Sequence, residues 1–295
     1  MDGIVNFYKP EGMTSHDAVN FFRKLLNIRR IGHTGTLDPN AKGVLPICIG
    51  KATRISEYIL EADKEYIGVL VLGCETDTQD SDGRILNSSD KIVDRDSIIE
   101  SFQKFKGNIE QVPPMYSALK HKGKRLYELA REGKVVQREP RDVKIYDLKI
   151  IDIHENREIE FYVRCSRGTY IRTLCHDIGM DLETYGYMSR LIRVGVGDFK
   201  IQDSLKMEYL KQLNQEEMNN IILPIDRALR AMDKIILLDN LYNKIKNGMM
   251  VPVSDENFIG ANGNLRVYCK SEFIGIGHLV CRGKSRFLKM DKVFA

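Results

Sequence analysis

One glycine- and proline-rich segment, residues 32–46, constrains the fold of this chain more than any other feature. It reads GHTGTLDPNAKGVLP and carries a single acid, Asp38. Gly35 and Gly43 permit backbone conformations that other residues avoid, and Pro39 fixes a turn directly after the acid. An Asp-Pro pair alone is an ordinary turn former. A loop of this composition holds an acid rigidly, so Asp38 is a candidate catalytic residue at a cleft.

The composition is that of a globular protein. Hydrophobic residues make up 43% of the 295 residues, and no apolar run approaches the ~20 residues that span a membrane. The N-terminus enters a strand-like run without a basic stretch before it, so we expect no secretory signal and a cytoplasmic protein. The six cysteines include no C-x-x-C pair, and the six histidines form no pair at ligand spacing. We therefore expect reduced thiols and no metal.

The hydrophobic patterns mix helices and strands without a regular βαβ alternation, which favours an α+β fold over a doubly wound one. Helical patterns begin at Ser15, which we expect to cap the first helix, and recur over 52–60, Asp96–Phe105 and Glu216–Leu229. Strand patterns cover 3–8, Tyr66–Leu72, Val143–Ile153, Ile159–Cys165, 265–268, 273–278 and 292–294. A change of pattern near residue 232 predicts two domains, residues 1–232 and 233–295.

The segment around Asp38 resembles the catalytic motif of the pseudouridine synthases, specifically the tRNA pseudouridine-55 synthases of the TruB family. In that family the acid of G-H-x-G-T-L-D-P is the catalytic aspartate, which the resemblance places at Asp38. Further family-like segments follow in order through the chain: 5–15, 64–66, 76–83, 113–118, 167–173 and 190–193. Residues 247–248 and 273–277 resemble the PUA domain, a small RNA-binding β-barrel.

The resemblance implies a fold and a reaction. The fold is α+β, with a mixed, mainly antiparallel sheet in the catalytic domain and a small C-terminal β-barrel of the PUA type. The reaction breaks the N1–C1′ bond of a uridine, turns the base and bonds its C5 to the same sugar carbon. It needs no redox change and no group donor, so we expect no cofactor. Whether the carboxylate attacks C1′, adds to C6 or takes the C2′ proton stays open.

The resemblance also implies roles for further residues. Arg172 pairs with the catalytic aspartate, and an arginine there keeps a desolvated carboxylate ionised. Tyr66 stacks on the target base and helps proton removal at C5. The residues expected to bind substrate are His33, which inserts where the flipped uridine was, Lys9, which supports the active-site loop, and Tyr170 and Leu191, which wall the pocket.

The implied partner is the T-arm of tRNA, with uridine 55 as the target. Residues 113–145 and 230–295 carry an excess of Lys and Arg, whereas residues 61–112 carry an excess of acids. A basic segment is ordinarily a solvated face, but beside a base-modifying motif both segments predict surfaces that follow RNA phosphates.

Two alternatives remain, an RNA-guided relative and a non-catalytic tRNA-binding or tRNA-folding protein. Segment 120–131 resembles the stand-alone bacterial form. Retention of Asp38, Tyr66 and Arg172 argues against a protein that only binds RNA. We therefore expect a monomer without a guide RNA and without a membrane partner.

Overall fold

The computed structural model describes residues 1–253, 263–283 and 285–295. The helices are α1 (Ser15–Leu26), α2 (Ser56–Glu61), α3 (Arg95–Lys104), α4 (Leu126–Arg131), α5 (Ile171–Asp181), α6 (Met207–Leu210), α7 (Gln215–Ile221) and α8 (Tyr242–Lys246). Short 3₁₀ turns cover Gly50–Ile55, Ile201–Asp203, Ile225–Leu229 and Asp239–Leu241. The strands are β1 (Gly3–Lys9), β2 (Ile31–His33), β3 (Lys42–Ile49), β4 (Lys64–Leu72), β5 (Cys74–Thr76), β6 (Ile85–Ser88), β7 (Gly107–Gln111), β8 (Lys120–His121), β9 (Lys124–Arg125), β10 (Arg141–His154), β11 (Glu158–Cys165), β12 (Gly186–Val196), β13 (Phe199–Lys200), β14 (Lys234–Leu237), β15 (Val251–Val253), β16 (Asn264–Cys269), β17 (Glu272–Arg282) and β18 (Ser285–Val293).

A nine-stranded sheet forms the centre of the molecule. Its main order is β1-β3-β12-β4-β11-β10-β7, with β2 beside β3 and β13 beside β12. Neighbouring strands are antiparallel except β3 and β12, which run parallel where Arg193 lies opposite Gly43. The predicted α+β fold with a mixed, mainly antiparallel sheet is confirmed. The parallel pair matters for the site, because β3 emerges from the segment 32–46 and β12 carries residues of the cleft.

The C-terminal residues form a second sheet of five strands, in the order β14-β16-β17-β18-β15. Apolar side chains that alternate along these strands fill its own core, among them Ile235, Val267 and Leu288. Over the described residues the pairing runs from β14 to β15 without joining them, so the sheet is an open, half-barrel form of the expected barrel.

The first helix is capped one residue earlier than its sequence signal suggested. Thr14 is the N-cap: its side chain accepts from the backbone N–H of Asp17, and the Asp17 carboxylate accepts from the backbone N–H of Thr14. Ser15 was expected to cap this helix, but it is buried and bonds to Leu37 instead. The prediction was wrong because two neighbouring hydroxyl residues offered the same local signal.

The helical prediction for Glu216–Leu229 was also wrong in part. The segment contains α7 and a separate 3₁₀ turn, because Pro224 lacks a backbone N–H and stands directly before the second element. Likewise, the helix predicted over 52–60 begins as a 3₁₀ turn and becomes α-helical at Ser56.

The C-terminal sheet packs against the central one. Ile276 and Phe294 lie in the same buried cluster as Ile4 and Val44. Lys51 donates to the carbonyl of Phe294 at 2.7 Å. The two parts on either side of residue 232 therefore share a core. The predicted division at that residue stays a prediction.

Gly43 occupies a position where a side chain has no room. Its φ is +113°, and a Cβ built there would overlap the backbone of Arg193 on the parallel neighbour. We expect Gly43→Ala to lower the free energy of unfolding by about 2–4 kcal/mol, since the strained φ and the overlap each cost energy. The control is Gly133→Ala, where φ is +73° and no atom lies within 4 Å of the added carbon. Urea unfolding of both variants measures the difference, and equal losses would contradict the prediction.

Candidate active site

Side chains of β1 and α1 hold the loop that carries Asp38 by hydrogen bonds to its backbone. Ser15, at the start of α1, donates to the carbonyl of Leu37 at 3.0 Å and accepts from its N–H at 2.9 Å. The Lys9 ammonium donates to the carbonyl of Pro39 at 3.2 Å and to those of Met13 at 2.7 Å and Pro10 at 2.9 Å. The residues on either side of Asp38 are therefore both anchored, which leaves its carboxylate at a defined place.

Lys9 lies beneath the loop rather than in the cleft. Its side chain is buried, and burial, helped by the Arg193 cation, lowers the pKa of Lys9 to about 8. This placement favours the predicted loop support over a direct contact with substrate.

Arg172 binds Asp38 with a two-pronged contact. Its Nε lies 3.0 Å from one carboxylate oxygen and its Nη2 lies 3.4 Å from the other. The Arg172 side chain is 7% exposed, whereas that of Asp38 is 38% exposed. The carboxylate therefore has one face on the guanidinium and another open to the cleft. The pairing joins residues 134 positions apart, as the family resemblance implied.

The guanidinium of Arg172 is itself held by three further groups. It donates to the carbonyls of Tyr116 at 2.9 Å and Thr78 at 3.1 Å, and Asp80 lies 3.3 Å from its Nη1. Sequence reasoning missed Asp80 as a site residue, although it stands in the family-like segment 76–83. Only the fold shows that this carboxylate meets Arg172. Burial raises the pKa of Asp80, although the carboxylate lies beside a cation.

Tyr66 and Arg193 face one another on neighbouring strands. They are register partners of β4 and β12 and both line the cleft. Burial raises the pKa of Tyr66 to about 12, and the Arg193 cation opposes that rise. Arg193 is 1% exposed. In the sequence it stood only as the last residue of a family-like segment, without a role.

The site residues converge on one cleft of about 1500 Å³. It brings together six of the seven predicted site residues, all but Lys9: His33, Asp38, Tyr66, Tyr170, Arg172 and Leu191. Burial lowers the pKa of His33, with the Arg193 cation adding to the effect, and raises the pKa of Tyr170. Tyr170 and Leu191 contribute an aromatic and an apolar side chain to the walls.

A basic and aromatic group lies at the edge of the same cleft. The guanidinium groups of Arg125 and Arg131 lie 5.9 and 5.5 Å from the ring centre of Tyr127, and all three residues line the cleft. Cations around an aromatic ring attract phosphates, and the ring offers a surface for a base. The basic segment 113–145 therefore contributes directly to the cleft.

Over residues 1–253, 263–283 and 285–295, no cluster of three or more His, Cys, Asp or Glu side chains has the arrangement of a metal site. No helix in this part of the chain is long and apolar enough to cross a membrane.

The mixed sheet, with an acid on a loop beside β3 and its arginine at the start of α5, defines a pseudouridine synthase. A solved Cbf5-Nop10-Gar1 complex contains a chain with TM-score 0.76 and 27% identity, covering 99% of this chain and 85% of that one. An H/ACA RNP bound to a substrate RNA gives TM-score 0.75 and 25% identity at the same coverage.

Sequence comparison narrows the class. Residues 23–171 match the N-terminal domain of the TruB family pseudouridylate synthases, and residues 172–230 match the tRNA pseudouridylate synthase B C-terminal domain. A tRNA pseudouridine synthase B of Clostridium kluyveri is 45% identical over the full length of both chains, and that of Alkaliphilus oremlandii is 46% identical over 94% of this chain and 93% of its own. The chain belongs to the TruB family of pseudouridine synthases.

The placement of Lys9 predicts a loss of stability on substitution. We expect Lys9→Met to lower the free energy of unfolding by about 2–4 kcal/mol, because three carbonyls lose their donor. The exposed Lys24→Met on α1 is the control and should stay within about 0.5 kcal/mol of wild type. Urea unfolding tests both. A variant of unchanged stability with weakened RNA binding would show instead that Lys9 contacts the substrate.

The contribution of Lys9 to the free energy of unfolding also depends on pH. Its pKa falls from 10.5 in the unfolded chain to about 8 in the folded protein. Between these values the unfolded chain holds a proton that the folded protein lacks, so Lys9 makes stability rise with pH in this window. The stability difference between wild type and Lys9→Met should therefore grow from about pH 8 to about pH 10, as urea unfolding at several pH values would measure. A difference that stays constant or shrinks over this range would contradict the lowered pKa.

Proposed function

We propose that this enzyme isomerises uridine 55 in the T-arm of tRNA to pseudouridine, with Asp38 as the catalytic carboxylate acting on a flipped-out uridine. The observation that carries the proposal is the geometry of Asp38, which is held by Arg172 on one side and open to the cleft on the other. A carboxylate in this state is oriented and accessible, as a nucleophile or base requires.

The cleft supports the individual steps. Tyr66 and Leu191 lie on the neighbouring strands β4 and β12 and offer an aromatic and an apolar surface against which a uracil fits. Such walls retain the detached base while it turns between the breaking of N1–C1′ and the forming of C5–C1′. Tyr66 also brings a hydroxyl to this place. Asp38 retains three possible points of attack, at C1′, at C6 or at the C2′ proton.

Residues of the cleft and the names of the relatives both support tRNA as the substrate. The target uridine of a folded loop has to leave the stack of bases. His33 lines the cleft and can fill the place that the uridine leaves in that stack. Arg125, Tyr127 and Arg131 offer cations and a ring to the adjoining strand. The curated relatives that match along the whole chain are named tRNA pseudouridine synthases, which supports tRNA as the substrate.

The RNA-guided alternative rests on one observation, the similarity to chains solved as Cbf5 complexes. The 41–46% identical relatives named for tRNA favour the stand-alone enzyme. A T-arm hairpin with no added guide RNA separates the two.

We expect wild-type protein to convert the uridine at position 55 of such a hairpin, and Asp38→Asn to abolish the conversion. The asparagine keeps the size of the side chain but is neither a nucleophile nor a base, so RNA affinity should stay nearly intact. Product is measured by nucleoside chromatography and affinity by filter binding. Activity of the variant within about tenfold of wild type would reject Asp38, and a requirement for guide RNA would reject the stand-alone enzyme.

Arg172→Lys keeps the positive charge but loses the two-pronged contact with Asp38. We expect kcat to fall on the order of tenfold or more with little change in RNA affinity, because the carboxylate loses its alignment. Arg172→Ala should fall further. Turnover on the hairpin and filter binding measure the two effects. A phosphate-binding role would appear instead as weakened RNA binding and a smaller salt dependence, with full turnover at saturating RNA.

A further inference from the structure

Arg193 is a buried cation that pairs with no carboxylate among the residues described. Its Nε donates to the carbonyl of Val44 at 2.7 Å, and its terminal nitrogens donate to those of Thr36 at 3.4 Å and Gly35 at 3.3 Å. Taking an unpaired charge out of water is costly even where hydrogen bonds surround it. Backbone packing alone would be served at lower cost by a neutral side chain, so the charge points to a role in the site.

The neighbour of Arg193 across the strands is Tyr66. The two residues are direct register partners of β4 and β12, a relation that brings side chains on one face into contact. Both residues line the cleft, and the Arg193 cation opposes the rise in the pKa of Tyr66 that burial causes. Arginine only donates, so a guanidinium on this face of the sheet can direct the phenol oxygen by donating to it.

The same guanidinium also holds the backbone that leads to Asp38. Gly35 and Thr36 come shortly before the acid in the chain, and both of their carbonyls accept from Arg193. One side chain therefore contacts the loop of the acid and stands opposite Tyr66 on the neighbouring strand. The strands β3 and β4, which flank these two groups, are not paired with each other in the sheet.

We propose that Arg193 is a positioning residue for the reaction, which fixes the Tyr66 hydroxyl against the base in the cleft and acts on turnover through Tyr66 rather than through RNA binding. This inference rests on the proposed function, since it assumes a uracil between the walls of the cleft. It assigns the buried charge to the reacting base and not to a phosphate, because three backbone carbonyls bind the guanidinium and its partner across the strands is Tyr66.

A double-mutant cycle tests the inference with full-length protein on the T-arm hairpin. Arg193→Lys keeps the charge and a donor for the loop carbonyls but loses the planar guanidinium that we propose directs Tyr66, and Tyr66→Phe removes the hydroxyl alone. The rate of each variant is measured in single-turnover reactions with enzyme in excess over RNA, which can be followed for hours when a variant is slow. We expect Arg193→Lys to reduce the rate on the order of tenfold in the wild-type background but less than about threefold in the Tyr66→Phe background, with RNA affinity within about twofold throughout.

The matched control is Arg190→Lys, an exposed arginine on the same strand, which should leave the rate unchanged. Equal losses from Arg193→Lys in both backgrounds, no loss in either, or a full-rate Tyr66→Phe would each overturn the inference while wild type remained active. A wild type that leaves the hairpin unmodified would overturn the proposed function instead.

If thermal melting shows that Arg193→Lys is unfolded, Arg193→Gln, which keeps an amide donor for Val44, takes its place in the cycle.

Discussion

Buried backbone carbonyls in the loop that carries Asp38 need hydrogen-bond donors, and side chains from distant parts of the chain provide them. Lys9 from β1, Ser15 from α1 and Arg193 from β12 donate to the loop carbonyls between Gly35 and Pro39. A loop of glycine, threonine and proline has no regular ladder of its own, so without these donors its polar groups would be buried unpaired. The position of Asp38 depends on this set of contacts, and the order of the strands brings the donors together.

Two cations are buried near one acid, and they serve different ends. Arg172 meets carboxylates, Asp38 and Asp80, so its charge is balanced where it lies. Arg193 meets backbone carbonyls and lies opposite Tyr66 across two strands. The first arrangement orients an acid at the cleft, and the second places a positive charge opposite Tyr66 across the strands. The two arginines meet different groups, so neither can replace the other in these contacts.

Residues 51–61 connect the C-terminal sheet to the cleft. Beside its last strand, Lys51 and Arg54 donate to the carbonyls of Phe294 and Val293, each at 2.7 Å. The helix α2 follows these two residues directly, and Glu61 at its end lines the cleft. Residues that bind RNA on this sheet would thus be joined to one wall of the site through a shared core and not through a linker.

Local sequence determined part of this protein: strands such as β1, β4, β10 and β11, because their alternating and β-branched residues suit a sheet, the turn at Asp38, because glycine and proline fix it, and the family, because its motifs are contiguous segments. It did not predict β12, the strand that carries Leu191 and Arg193. It failed where the signal was ambiguous within one or two residues, as at Thr14 and Ser15, or where Pro224 divides one helical pattern in two. Which side chains meet was decided by tertiary structure alone. The ion pair of Asp80 with Arg172 and the strand pairing of Arg193 with Tyr66 join residues that lie far apart in the chain. Strand order and register create such contacts, and no spacing along the chain encodes them.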